Sequence, residues 1–215
     1  MIYLLSPLTR DGCIHLPMIS FSTVEQKLTF DGYDMLMFTS KQAVICAEEL
    51  NDKWKELPCL AIGAATAKQI EALGGTVYYQ PKSFYGKTLS QDIVTKFKEK
   101  KILYLRPKVV SFDAKSFLRK ENVWLDEEII YETHCINYAV NEQPNENAII
   151  IFTSPSTIHC FLKNFYWDKS YTAVVIGEAT KEHLPSDARF EVSDIPQIDA
   201  CIVKAKEVLL SSNSK

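Results

Sequence analysis

Short continuous apolar runs and longer amphipathic stripes take turns along this chain. Met35 to Thr39 is an apolar run ending in hydroxyls, the pattern of a strand covered on both faces. From Ser40 the period changes. Ala43, Val44, Cys46, Ala47 and Leu50 fall at helical spacing, with Ser40 placed to cap the helix. Leu60 to Gly63 is the next strand, and a helix from about Ala65 stops at Gly74-Gly75. Strand Val77 to Tyr79, a loop with Pro81 and Gly86, a helical stripe of Leu89, Ile93, Val94 and Phe97, and strand Ile102 to Leu105 follow. The order then recurs: strand Ala148 to Phe152, a helix from Ser154, strand Ala173 to Ile176, a helix from Ala179 and a short strand near Phe190 to Val192. A last helix carries Ile202, Val203, Ala205, Val208 and Leu209. Alternation of this kind predicts parallel βαβ units.

The recurrence reaches residue identity. Phe38-Thr39-Ser40 and Ile62-Gly63-Ala64-Ala65-Thr66 return 114 positions later as Phe152-Thr153-Ser154 and Ile176-Gly177-Glu178-Ala179-Thr180. Cys46 matches Cys160 and Lys55 matches Lys169, making nine identities between residues 38–66 and 152–180. Average composition gives about two. One unit has been used twice, which leads us to expect a ligand held between two similar halves.

The ends of the copies do not match. Ile2 to Leu5 is a strand followed by only a short connection, Leu8 to His15, before the extended stretch Leu16 to Val24, and the second copy is the half short of strands. An insertion accounts for both. The expected fold is α/β, with two similar parallel-sheet (flavodoxin-like) domains joined by a two-stranded β-ladder. Residues 1–18 and 140–215 form one discontinuous domain, 26–128 a second domain inserted in it, and 19–25 with 129–139 the linker. Ile129, Ile130, Tyr131, Thr133, Ile136 and Tyr138 give the second crossing its β character.

Composition removes several classes. No apolar run approaches roughly 20 residues, and Met1 to Leu5 lacks the basic start and the length of a signal peptide, so neither a membrane span nor a leader is expected. The chain is expected to be cytoplasmic. A net charge of -3 without a long basic run argues against nucleic acid. Six scattered cysteines with no C-x-x-C pair argue against zinc and predict reduced, buried thiols. His15, His134, His159 and His183 show no metal spacing. Neither G-x-G-x-x-G nor G-x-x-x-x-G-K-[ST] is present, which weighs against a nucleotide-dependent enzyme.

Ligands of open parallel sheets bind beyond the carboxyl ends of the strands. Four turns mark that place: Thr39-Ser40-Lys41, Gly63-Ala64-Ala65-Thr66, Thr153-Ser154-Pro155-Ser156 and Gly177-Glu178-Ala179-Thr180. Unpaired amides and helix dipoles there suit carboxylate or phosphate without a basic surface. The plainer reading, that these hydroxyls only cap helices, stands beside it. Lys41, Lys68, Lys82, Arg106 and Lys108 lie near turns or strand ends, where they would steer an anion or simply be solvated.

The succession FTS-x-x-A-V (Phe38 to Val44), IGAATA (Ile62 to Ala67), LRPK (Leu105 to Lys108), IYET (Ile130 to Thr133), FTSPS (Phe152 to Ser156) and IGEAT (Ile176 to Thr180) resembles the uroporphyrinogen-III synthase family over nearly the whole chain. The resemblance implies two α/β domains on a β-ladder and no cofactor. The implied substrate is hydroxymethylbilane, a linear tetrapyrrole with eight carboxylates, closed to uroporphyrinogen III with loss of water and inversion of the last ring. It implies a hydro-lyase of haem biosynthesis, expected as a monomer that makes transient contact with the bilane-forming enzyme. Tyr131 resembles the family's tether tyrosine, a candidate acid for the leaving hydroxyl; an ordinary strand tyrosine is the competing reading. Thr66 and Thr180 match the family's carboxylate-binding threonines. One departure lies after the first strand, where Ser6-Pro7-Leu8-Thr9-Arg10 replaces an arginine and full helix. A non-catalytic two-lobed binding protein for a small anion remains the alternative.

Overall fold

Apolar runs form the strands because only a sheet covered on both faces hides every side chain of such a run. The computed structural model describes residues 1–83 and 85–212. In chain order, β1 (Ile2–Leu4), β2 (Ile14–His15) and β3 (Ile19–Thr23) precede the first copy. That copy comprises β4 (Met35–Phe38), α1 (Lys41–Leu50), β5 (Pro58–Ala61), α2 (Ala64–Ala72), β6 (Thr76–Tyr79), α3 (Gly86–Lys96), β7 (Ile102–Pro107), α4 (Ala114–Lys120) and β8 (Leu125–Cys135). The second comprises β9 (Ile149–Phe152), α5 (Pro155–Asn164), β10 (Thr172–Val175), α6 (Glu178–Lys181), β11 (Arg189–Val192) and α7 (Ile198–Ser212). This is an α/β fold with parallel sheets and, among the described residues, seven α-helices.

The chain divides into two compact units, Met1–Ser20 with His134–Lys215, and Phe21–Thr133. In the first, the sheet order is β11-β10-β9-β1-β2, parallel throughout. The N-terminal strand is therefore internal, with Ile2 opposite Ile149. In the second, the order is β3-β8-β7-β4-β5-β6, and β4, β5, β6, β7 and β8 are parallel. Val24 N–H donates to Ile130 O and Ile136 N–H to Met18 O. Partner numbers fall as the others rise, so β3 and β8 run antiparallel where the chain passes from one unit to the other.

Each strand-helix unit encloses its own core. Leu36, Phe38, Val44, Trp54, Ile70 and Leu103 are buried together on one face of the second unit's sheet. Met35, Met37, Leu89, Ile93, Ile102 and Leu118 are buried on the other, as two-sided burial of β4 requires. In the first unit Leu4, Ile149, Ile151 and Val174 pack under Cys201, Ile202 and Ala205 of α7.

Two sequence expectations change. Cys135 and Cys160 form a disulfide, with Cα atoms 5.2 Å apart, so only Cys13, Cys46, Cys59 and Cys201 are free thiols. The last residue of β8 lies against α5, a contact across 25 residues that no local spacing displays. The helix expected from Ala179 is a single turn, Glu178–Lys181. Pro185 follows four residues later, and the residue before a proline is biased away from helix. Helix α4, capped by Asp113, and a 3-10 turn at Asp52–Glu56 were not foreseen from the period.

Candidate functional site

In the unit 21–133, β4 ends at Phe38 and Thr39-Ser40 turns the chain into α1. Ser40 has extended backbone, and its Oγ accepts Ala43 N–H at 3.1 Å, a helix N-cap. The same oxygen lies 2.8 Å from the Tyr131 hydroxyl, and Thr39 Oγ1 lies 2.6 Å from that of Tyr104. Parallel pairing brings them together: β7, which carries Tyr104, lies between β4 and β8, which carries Tyr131. Phe21 meets the Tyr131 ring edge-on at 5.7 Å, fixing its orientation.

Both phenols are buried, Tyr104 3% and Tyr131 5% exposed, so each resists ionisation. Burial pushes Tyr104 up to about 12. Burial likewise raises Tyr131, against the opposing effect of the Ser40 hydrogen bond. At neutral pH both are protonated donors. Ser40 Oγ already accepts the Ala43 amide, so its own proton can go to the Tyr131 oxygen, leaving the phenolic hydrogen free for a third group. Ser40 and Thr39 are half-buried and form the accessible side of this hydroxyl cluster.

The nearby cations are largely balanced. Arg106 Nη1 donates to the Pro107 and Lys108 carbonyls at 2.9 and 3.1 Å, while Nε stands 3.3 Å from Glu127 Oε2 without hydrogen-bond geometry. Lys108 Nζ is 3.0 Å from Glu132 Oε1. A depression of about 390 Å³ lined by Lys108, Glu127, Glu128 and Glu132 holds more carboxylates than cations and suits a polyanion poorly. Lys41, Lys68 and Lys82 are exposed. In the Gly63-Ala64-Ala65-Thr66 turn, Thr66 and Ala67 N–H both donate to Gly63 O. Thr66 is only 4% exposed, so the turn offers the Ala64 and Ala65 amides and the dipole of nine-residue α2 more than a side chain.

The other unit uses the same phrase differently. Ser154 Oγ accepts Thr157 N–H at 3.3 Å and Ser154 N–H reaches back to Thr157 Oγ1, closing a capping box. Pro155 has no N–H, so Ser156 is the first amide of that turn without a partner among the described residues. Beyond β10, Gly177 leads into one-turn α6, whose dipole is much smaller than that of α2. A Cβ added at Gly177 would meet nothing within 4 Å, so the Glu178 and Ala179 amides are approachable. Glu178 is exposed and paired with Lys181 Nζ at 2.8 Å. Thr180, like Thr66, is buried, at 3% exposed.

Sequence reasoning passed over Tyr104 and Glu127. Tyr104 sits inside the apolar run Ile102 to Leu105, and a hydroxyl there, one strand from the FTS turn, was the signal that could have found it. Among the described residues no group of three or more His, Cys, Asp or Glu side chains could hold a metal ion, and no helix is long and apolar enough to cross a membrane.

The family model for uroporphyrinogen-III synthase HemD matches residues 12–202. The chain belongs to the uroporphyrinogen-III synthase family. A porphyrin biosynthesis protein HemD from Ruminiclostridium josui is 30% identical over 82% of the chain. The chain spans 38% of that relative's length. Among solved structures, a uroporphyrinogen-III synthetase from Helicobacter pylori superposes with a TM-score of 0.77 at 23% identity, covering 96% of this chain and 98% of the other. A mutant uroporphyrinogen III synthase from Thermus thermophilus gives 0.62 at 10% identity, covering 98% of each. At these identities the superpositions establish the fold. Family membership agrees with the resemblance carried by the FTS, IGAAT, IYET, FTSPS and IGEAT phrases.

Proposed function

We propose that the chain is a uroporphyrinogen-III synthase, a cofactor-independent hydro-lyase that closes hydroxymethylbilane to uroporphyrinogen III with inversion of the last pyrrole ring. The family match over residues 12–202 carries this reading. In it, the two units are flavodoxin-like domains on a β3–β8 ladder, one discontinuous and the other inserted. Tyr131 donates the proton. The terminal C–O bond breaks, the hydroxyl leaves as water with the phenolic hydrogen, and the pyrrole electron pair forms the azafulvene. Ser40 positions the phenol and its hydroxyl stabilises the phenolate through their 2.8 Å contact, and the proton that the last ring loses on reclosure returns to Tyr131 through solvent. Burial raises the Tyr131 pKa and so keeps the phenol protonated at neutral pH, the form in which it can give a proton.

Attack from the substituted carbon of the last ring gives a spiro intermediate that fragments and recloses inverted. The competing reaction in water is direct closure, so the protein's task is mainly conformational. A hundredfold preference needs about 2.7 kcal/mol of differential stabilisation. Several amide-to-carboxylate hydrogen bonds would supply that much, and each unit offers such amides at its own turns, Ala64 and Ala65 in one and Ser156, Glu178 and Ala179 in the other, with Gly177 keeping its turn open. Incubating the chain with hydroxymethylbilane, oxidising the product and separating isomers I and III tests the reading. Isomer III in excess of the uncatalysed mixture is expected; the ratio set by water alone would refute it.

A further inference from the structure

Each copy receives an incoming strand, and both strands dock on the same position of the copy's first helix. Thr23 of β3 has its Oγ1 3.4 Å from Cys46 Sγ in α1, with its proton directed to Glu49 at 2.6 Å. Cys135 of β8 is bonded to Cys160 of α5, the position that matches Cys46 in the repeat. The same helices hold the incoming chain a second time at their far ends. Asn51 Nδ2 donates to Leu28 O at 3.0 Å, and Asn164 Nδ2 donates to Ile136 O at 2.9 Å. Tyr138 N–H also donates to Asn164 Oδ1 at 2.9 Å. The first copy therefore shows this docking complete without a covalent bond. In the second copy, the disulfide is an addition to a contact that stands without it.

We propose that Cys135–Cys160 is a reversible thiol–disulfide exchange site, opened by a dithiol reductant, whose state sets how firmly α5 and its Ser154-Pro155-Ser156 turn are held. Cys135 is half-exposed and Cys160 buried, so the attacking thiolate meets Cys135 Sγ. The S–S bond breaks, a mixed disulfide forms with Cys135, and Cys160 leaves as thiolate and takes a proton. The reductant's second thiol then displaces Cys135, giving two protein thiols and the reductant's disulfide. Two electrons pass to the protein and two protons accompany them. Cys13, Cys46, Cys59 and Cys201 have no disulfide partner and take no part. The exchange itself does not require the reaction proposed above, although the turn it loosens carries the Ser156 amide assigned there to substrate.

The test equilibrates the full chain in buffers of graded reduced and oxidised dithiothreitol, counting thiols by mass tagging and following amide hydrogen exchange. Two thiols are expected to titrate together and reversibly with far-UV circular dichroism retained. On reduction, α5 amides should exchange at least tenfold faster and α1 amides less than twofold. A Cys135→Ser, Cys160→Ser double variant should exchange like the reduced protein in every buffer. Unfolding of the reduced protein or of the variant would overturn the proposal. So would a bond that never forms or never opens, or equal α5 exchange in both states.

Discussion

The repeated phrase Phe-Thr-Ser does two different jobs in its two copies. At Ser40 the capping oxygen also reaches a buried tyrosine hydroxyl, whereas at Ser154 it is enclosed in a capping box with Thr157. The helix after the glycine turn is nine residues long in the first copy and four in the second. The tryptophans diverge as well. Trp54 packs edge-on against Phe38 and donates its indole N–H to Glu48, while Trp167 packs near Phe152 and Phe161 with its buried N–H unpartnered among the described residues. Duplication preserved the turn that starts a helix, and the partners brought by neighbouring strands decide what else its hydroxyl touches.

The tryptophans allow the sharpest break in the comparison. Trp54 is fully buried, and a Cβ at Gly75 would come within 2.3 Å of its ring, so backbone and indole are fitted to each other. Trp54→Ala is expected to cost about 3–5 kcal/mol in a urea titration. Trp167→Phe should change stability by about 1 kcal/mol or less, because it removes an orphaned donor along with ring volume. Equal losses would mean that the two cores are equivalent after all.

Alkaline pH separates the copies next. The folded pKa of Tyr104 lies near 12, above its ordinary value of 10, so its contribution is complete below pH 10 and is lost as pH rises through 12. Up to about 2–3 kcal/mol of stability should disappear over that window. Tyr104→Phe should flatten the loss; an unchanged profile would place the alkaline sensitivity elsewhere.

Turnover comes third. Tyr131→Phe should lower kcat at least about tenfold, about 1.4 kcal/mol, with circular dichroism unchanged. Unaltered steady-state rates would remove the acid role. Finally, Ser154→Ala should cost about 1 kcal/mol of stability while leaving kcat within about twofold, whereas Ser40→Ala should cost about the same stability and also lower kcat. If both serines affected only stability, the first turn would be a cap and nothing more.

Alternation of strand and helix, the repeated turns and the family phrases were legible because each is written in contiguous residues. What each hydroxyl does was not. Ser40 bonds to a residue 91 positions away and Thr39 to one 65 away, and no local pattern records such meetings. The disulfide escaped for the same reason. Helix α4 escaped for another: at seven residues it is too short for its period to stand out, although Asp113 was available as its cap.

The interior position of β1 has a consequence for how the molecule is made. Ile2 and Leu4 are buried between strands, and the partner β9 begins only at Ile149. A ribosome finishes residues 21–133 before that partner exists, so the inserted unit is free to fold while the β9 side of β1 waits with its ladder groups uncovered. Closing so long a loop is slow, and until then that side of β1 is open to pairing with the wrong neighbour.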